Sequence, residues 1–135
     1  MIGMFSILTL ALAIAVPAGA QQAPLAGSEW RVVSIGGEAV PEGVEALVQF
    51  GADGKLSGNG GCNQFTGTYV AEGAALTIGQ VAATRRACPG PRMAVEQKLF
   101  AAFGAVRGFA RDRADLVLTD AAGATLVVLV QTDWD

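Results

Sequence analysis

Two cysteines, two adjacent arginines and an asparagine are the residues of this chain whose types and spacing could support chemistry. Cys62 and Cys88 are the only cysteines; Asn63 follows the first, and Arg85 and Arg86 precede the second. Two thiols can form one disulfide in an oxidising compartment or remain as buried free thiols, and the disulfide is favoured here. Guanidinium groups can bind carboxylate or phosphate, and an asparagine amide can recognise a ligand amide.

Each binding candidate also has a structural interpretation. Asn63 could hold a tight turn, because asparagine tolerates left-handed backbone and bonds nearby peptide groups; that role is favoured. Arg85 and Arg86 could be two solvated residues of an exposed loop, since adjacent residues of an extended segment face opposite sides. All three are therefore candidate binding residues with a structural alternative.

Catalysis by the commonest devices is excluded by composition. The chain has no histidine, which removes the commonest general base and metal ligand. A serine or cysteine nucleophile needs a base beside it, and two cysteines are too few for a structural zinc site. Glu96 is expected to form a surface ion pair with Arg92 one helical turn earlier. No second acid is placed to form a catalytic pair with it, so no catalytic residue, metal or cofactor is expected.

A glycine-rich stretch surrounds the first cysteine and the asparagine. Glycine is used where φ is positive or where another backbone approaches closely. The stretch lacks the lysine of a phosphate-binding P-loop, so phosphate cradling is not expected. We expect a structural turn within a sheet, formed by Gly58, Gly60, Gly61 and Gly67.

The elements that position these residues are short strands around one helix. Apolar strands alternate with turn residues, as at Asp53-Gly54, a hairpin signal. One helix is predicted to begin at Pro91, run to about Phe103 and end at a left-handed Gly104. The pattern predicts a single compact α+β domain. Its antiparallel sheet is strongly curled and barrel-like, with one main helix packed on it.

The N-terminal residues have the pattern of a targeting segment. Residues 1–20 combine a short, uncharged apolar run with small residues at its end, which predicts a signal peptide cleaved after Ala20. An uncleaved membrane anchor is the alternative, although the run is short for a span of about 20 residues. The remaining divisions are a flexible lead-in (21–27), the domain (28–131) and a tail (132–135). The expected location is the periplasm or the outside of the cell.

Ordered features along the mature chain resemble the META domain family, which includes bacterial heat-shock-associated proteins of the HslJ type. Residues 58–69 read GNGGCNQFTGTY and are similar to the family's G-x-x-G-C-N-x-[FY]-x-G-x-Y core. Residues 84–88 resemble its T-x-x-x-C element. Further matches lie in the helix and the closing hairpin, at Glu96, Phe100, Phe103, Leu116, Val117, Leu118 and Leu126.

The resemblance implies an exported, β-rich, often envelope-associated domain that is linked to stress or antibiotic tolerance and carries no catalytic residue. The function expected is non-enzymatic binding of a protein or envelope component. A small-ligand carrier that uses the interior of the sheet is one alternative, and a hydrolase with a carboxylate pair is another. The net charge of −3 gives no nucleic-acid surface. A monomer is expected, with membrane contact only through an uncleaved signal segment.

Overall fold

The structure, a computed structural model, describes residues 24–132. The predicted signal peptide (1–20), the start of the predicted lead-in (21–23) and the end of the predicted tail (133–135) lie outside the described residues. Thr132 of the tail is described, and its backbone N–H donates to the carbonyl of Glu29 at 3.0 Å.

The described part of the chain contains ten strands and one long helix. In chain order they are β1 (Ser28–Ile35), β2 (Glu38–Ala39), β3 (Leu47–Phe50), β4 (Lys55–Asn59), β5 (Gln64–Glu72), β6 (Ala75–Ile78), β7 (Ala82–Ala83), α1 (Arg92–Ala105), β8 (Gly108–Asp112), β9 (Asp115–Thr119) and β10 (Thr125–Gln131).

Eight of these strands close into an antiparallel barrel. The strand order is β10-β9-β8-β6-β5-β4-β3-β1, and β1 also pairs with β10, which joins the two ends of the sheet. The register shifts in β1 between Val32 and Ser34, and in β10 between Thr125 and Val127. Such bulges increase the local bend and twist, as closure requires. The predicted α+β domain with a barrel-like sheet and one main helix is confirmed.

Large apolar side chains fill the interior of the barrel. Successive residues of a strand face opposite sides, so each strand sends alternate side chains inward. Full burial of one such side chain contributes about 2 kcal/mol. The apolar side chains of the barrel strands that are exposed by 1% or less are Trp30, Val48, Phe50, Leu56, Phe65, Leu76, Leu116, Leu118, Val127 and Leu129.

The helix α1 packs its apolar face against the barrel. It begins directly after Pro91, as predicted, and its buried residues include the predicted Val95, Leu99 and Phe103. The rings of Phe65 and Phe103 have centroids 5.5 Å apart, which couples β5 to α1. With 14 residues, α1 is shorter than a membrane span; none of the helical structure in residues 24–132 has the length and apolar character needed to cross a bilayer.

The end of α1 differs from the prediction. The helix continues through Gly104 and ends at Ala105, and Gly104 does not adopt positive φ. Val106 then takes an extended conformation, with φ −65° and ψ 133°, and is fully buried. The extended, buried Val106 ends the helix and directs the chain towards β8, so no left-handed glycine is needed there.

The described part of the predicted flexible lead-in is packed on the domain. Leu25 is only 2% exposed, and the Gly27 N–H donates to the carbonyl of Phe50 at 2.7 Å. The Ser28 hydroxyl donates to the Leu25 carbonyl and accepts the indole N–H of Trp30 at 2.7 Å. The domain therefore begins earlier than residue 28, because an apolar side chain upstream completes its core.

Tyr69 on β5 lies at the boundary between the core and the β3–β4 turn. Its ring meets Phe50 edge to face, with centroids 5.0 Å apart, and its hydroxyl donates to the Gly51 carbonyl at 2.5 Å. Burial raises the pKa of Tyr69 above its ordinary value of 10.0, and the Asp53 carboxylate raises it further. Both effects favour the neutral phenol in the folded protein.

Tyr69 is expected to make stability fall at alkaline pH. Because its folded-state pKa is raised, its contribution is complete below about pH 10 and is lost as the pH rises through the folded-state value. Tyr69→Phe should cost about 1 kcal/mol at neutral pH through the lost hydrogen bond, and should flatten the alkaline decline in unfolding free energy. Urea denaturation across a pH series measures both effects.

The chain has one tyrosine, so tyrosinate absorbance reports Tyr69 alone. Asp53→Asn should lower the raised pKa part of the way, since it removes the negative charge. Titration of the folded protein at or below the ordinary tyrosine pKa would contradict this interpretation.

Candidate functional site

A buried carboxylate joins the glycine-rich loop to α1. Glu96 is 4% exposed; its Oε1 accepts the backbone N–H groups of Cys62 at 3.2 Å and Asn63 at 2.5 Å. Its Oε2 accepts Nδ2 of Asn63 at 2.8 Å. A carboxylate in such a position needs these donors, because burying it without partners is costly. The predicted surface ion pair with Arg92 is wrong, because Glu96 shares the inward helix face with Leu99 and Phe103.

Asn63 uses its whole side-chain amide within the protein. It is 2% exposed, and its Oδ1 accepts the Arg86 N–H at 2.6 Å and the Thr84 hydroxyl at 3.0 Å. Its Nδ2 donates to the Arg86 carbonyl at 3.1 Å as well as to Glu96. These four contacts use both donors and both lone pairs of the amide. The amide is therefore closed to a ligand. Its role is structural, but it bonds residues 21 to 33 positions away instead of holding a local turn, and Asn63 does not adopt positive φ. We call this set of contacts the Asn63 network: Cys62, Asn63, Thr84, Arg86 and Glu96.

The two cysteines form a disulfide across the same two segments. Cys62 and Cys88 are bonded, with their Cα atoms 5.9 Å apart and a sequence separation of 26. Closing a loop of this length stabilises the fold by roughly 3 kcal/mol on the chain-entropy view. The predicted disulfide is confirmed. Together with the Asn63 network it fastens the segment before α1 to the glycine-rich loop, and we call this region, where the loop, the segment before α1 and the start of α1 meet, the joint.

Gly60 and Gly61 allow the loop to meet the helix. A Cβ on Gly60 would lie 2.8 Å from Cγ of Glu96, which its hydrogen bonds hold in place. A Cβ on Gly61 would lie 2.9 Å from the Arg92 carbonyl oxygen, and Gly61 also has φ +126°. The predicted turn at these two glycines is thus a point of close approach between the loop and α1.

Gly58 and Gly67 lie inside strands rather than in the predicted turn. Gly58 belongs to β4, where a Cβ would lie 2.0 Å from the Leu47 carbonyl oxygen of β3. Gly67 belongs to β5, where a Cβ would lie 3.0 Å from Cγ1 of Val81. Both positions exclude a side chain because another segment packs directly on the strand.

The arginines before the second cysteine are both exposed, but only one adjoins the joint. Arg86 lines a surface groove of about 290 Å³, and Arg92 at the start of α1 lines the same groove. Arg85 is not among the lining residues. Reasoning from the sequence missed Arg92 as a binding candidate and Glu96 as a buried residue. For Glu96 the spacing to Leu99 and Phe103 was an available signal, since residues three and seven apart share a helix face.

Ligand groups for a metal are dispersed in the part of the chain that the structure describes. Within residues 24–132, no three histidine, cysteine, aspartate or glutamate side chains lie close enough together to hold an ion. The expectation that the protein uses no metal or cofactor stays a prediction.

Comparison with known families places the chain in a family. The model of the META domain matches residues 23–133. The chain belongs to the META domain family. No protein of curated function matches it.

Solved structures share the fold of this META domain. An NMR structure of a protein from Burkholderia xenovorans is 23% identical, covers 87% of this chain and 89% of its own, and has a TM-score of 0.70. A second NMR structure is 21% identical, with coverages of 79% and 91% and a TM-score of 0.64. A crystal structure of a DUF4847 family protein from Bacteroides vulgatus is 17% identical, with coverages of 82% and 96% and a TM-score of 0.60. At these identities the likeness concerns the fold alone.

Exchanging the carboxylate of Glu96 and the amide of Asn63 should reveal the interaction energy between the two side chains. In Glu96→Gln the new amide oxygen must accept the two backbone N–H groups. The new NH₂ group then faces the Nδ2 donor of Asn63, so two donors meet. The free energy of unfolding should fall by about 2 kcal/mol. Asn63→Asp places two carboxylates together and should cost about 3 kcal/mol. The double variant pairs a donor with an acceptor again, so its cost should fall below the sum by about 1 kcal/mol or more.

Denaturant unfolding of the oxidised protein measures this cycle. Glu38→Gln is the control, because Glu38 is an exposed acid paired with Lys98 at 3.3 Å and its loss should change stability by less than about 0.5 kcal/mol. Additive costs, or a Glu96→Gln effect as small as the control, would show that the buried network does not hold the joint.

Alanine at two glycines should have opposite effects. Gly60→Ala forces a Cβ against Glu96 and should destabilise by about 1–3 kcal/mol. Gly104→Ala adds a methyl to an exposed helical position that no other segment approaches within 4 Å, and should stabilise by about 0.5–1 kcal/mol through helix propensity. Thermal and urea midpoints of the two variants measure the difference; a shift of both in the same direction would contradict it.

Proposed function

We propose that this META domain is an exported, non-enzymatic module that binds a protein or another envelope component at its surface. The observation that carries the proposal is the filled barrel. Trp30, Phe50 and Phe65 are among the interior side chains with 1% exposure or less, so the interior is a packed core. Recognition then falls to the outer surface.

The polar groups of the joint support a role without catalysis. The Glu96 carboxylate and the Asn63 amide are both committed to hydrogen bonds that hold the loop on α1. A general acid or base must reach a substrate, and the chain has no histidine for that task. A hydrolase of the carboxylate-pair type would require two acids facing one cleft, and Glu96 is turned away from solvent.

A small-ligand carrier fits the structure less well than a surface binder. Such a carrier needs an interior cavity large enough to enclose most of its ligand. The space that a ligand would occupy is taken by side chains from each barrel strand, including Leu56, Leu76 and Leu129 with 0% exposure.

Export is supported by the disulfide and by the sequence of residues 1–20. The Cys62–Cys88 bond persists in an oxidising compartment such as the periplasm or the extracellular space. The N-terminal pattern supports cleavage after Ala20. The link to envelope stress or antibiotic tolerance is supported by the family resemblance. The proposal includes a monomer that acts without a cofactor or nucleic acid.

Photo-crosslinking in the cells that make the protein tests this function. A photoreactive residue is placed at one exposed position at a time, including Gln49 on β3, Val70 on β5, Ala94 on α1 and Thr125 on β10. A surface binder should give crosslinked species of discrete mass from neighbouring positions on one face, and none from the opposite face. Mass spectrometry then identifies the partner.

A chain that lacks residues 1–20 is the matched control, because it should stay in the cytoplasm and lose the crosslinks. The exported chain should have an intact mass that begins at residue 21. Absence of face-specific crosslinks at every position would overturn the binding role, and equal crosslinking without the leader would overturn the export role.

A further inference from the structure

A polar surface groove lies beside the joint. We call it the arginine groove, and its lining includes Glu45, Gly61, Cys62, Arg86 and Arg92. Its volume of about 290 Å³ is just below the range of about 300–1,000 Å³ that is usual for small-molecule sites, so it suits a small group.

Among the described residues, the two groove arginines have no carboxylate partner within salt-bridge distance. Within residues 24–132 the salt bridges are Lys55–Asp53 and Lys98–Glu38, and neither involves the groove. Arg107, by contrast, donates to backbone carbonyls of the chain. The guanidinium groups of Arg86 and Arg92 therefore keep donors that a ligand can use.

The backbones that carry these arginines are held by contacts within the joint. Asn63 binds both the N–H and the carbonyl of Arg86, at 2.6 and 3.1 Å, and the disulfide fixes Cys88 two residues further on. Arg92 is the first residue of α1, and its carbonyl packs over Gly61. Anchoring on both sides limits the conformational entropy that the arginines lose when a ligand binds.

We propose that the arginine groove binds the C-terminal carboxylate of a peptide. Guanidinium groups match the two oxygens of a carboxylate with paired donors. Glu45, which lines the same groove, favours a carboxylate over a phosphate, because its negative charge repels a dianionic phosphate more than a singly charged carboxylate. It can also accept a hydrogen bond from a peptide N–H beside the ligand carboxylate. The inference rests on the proposed binding role and gives that role a location and a ligand chemistry.

NMR titration of the oxidised protein with three probes tests the inference. The probes are an N-acetylated dialanine with a free carboxylate, the same peptide with a C-terminal amide, and inorganic phosphate. The free acid should cause saturable shifts at the Gly61 and Cys62 amides and at the side-chain N–H groups of Arg86 and Arg92. The amide should cause none, and phosphate should bind more weakly.

Charge-matched variants separate a specific site from general attraction. Arg86→Ala with Arg92→Ala should weaken peptide binding by about tenfold or more. The double variant Arg85→Ala with Lys55→Ala removes the same charge outside the groove and should change the peptide affinity by less than about twofold. Glu45→Gln should strengthen phosphate binding relative to the peptide, since it removes the opposing charge.

No saturable binding, or equal losses in the two double variants, would overturn the groove as a site. Phosphate binding as tight as peptide binding, unchanged by Glu45→Gln, would overturn the choice of a peptide carboxylate. These outcomes are distinct from failure of the proposed function. Face-specific crosslinks that persist without carboxylate binding would leave a surface binder whose site is elsewhere, whereas loss of both would remove the binding role itself.

Discussion

The carboxylate of Glu96 is the contact on which the joint of this protein depends. It accepts two backbone N–H groups and one side-chain amide from the glycine-rich loop, in a position shielded from water. In such surroundings each hydrogen bond is stronger than in solvent, and each unpaired group would be costly. Asn63 in turn holds the segment before α1 in place through its hydrogen bonds with Thr84 and Arg86. One acid thereby holds three separate segments of the chain.

Apolar packing and polar contacts have different roles here. Each of the eight main strands pairs with two neighbours, although β6 and β8 meet at a single residue pair, and the barrel interior supplies the hydrophobic stabilisation. Hydrophobic burial is non-directional, however, and does not by itself specify how a helix lies on a barrel. The Asn63 network is directional and fixes α1 relative to β4 and β5. The disulfide adds a covalent limit on the same geometry.

Because the core is filled and the buried polar groups bond to one another, a META domain of this kind can recognise a ligand only at its surface. The groups that look most reactive in the sequence, the cysteines and Asn63, are used up in holding the joint. What the joint leaves at the surface is a pair of exposed arginines on well-anchored backbone, Arg86 and Arg92. A held backbone beneath exposed side chains suits binding, because the backbone is already ordered when the ligand arrives.

Local patterns in the sequence were sufficient for the fold class, the start of α1 next to Pro91 and the pairing of the only two cysteines. Strand alternation, helical spacing and turn residues act over a few positions, so they can be read without coordinates. The hydrogen-bond partners of the Glu96 carboxylate, the packing of Leu25, the continuation of α1 through Gly104 and the meeting of Arg86 with Arg92 were decided only by the tertiary structure. Each depends on contacts between residues far apart in the chain, such as the 33 positions between Asn63 and Glu96, and no local spacing specifies those contacts.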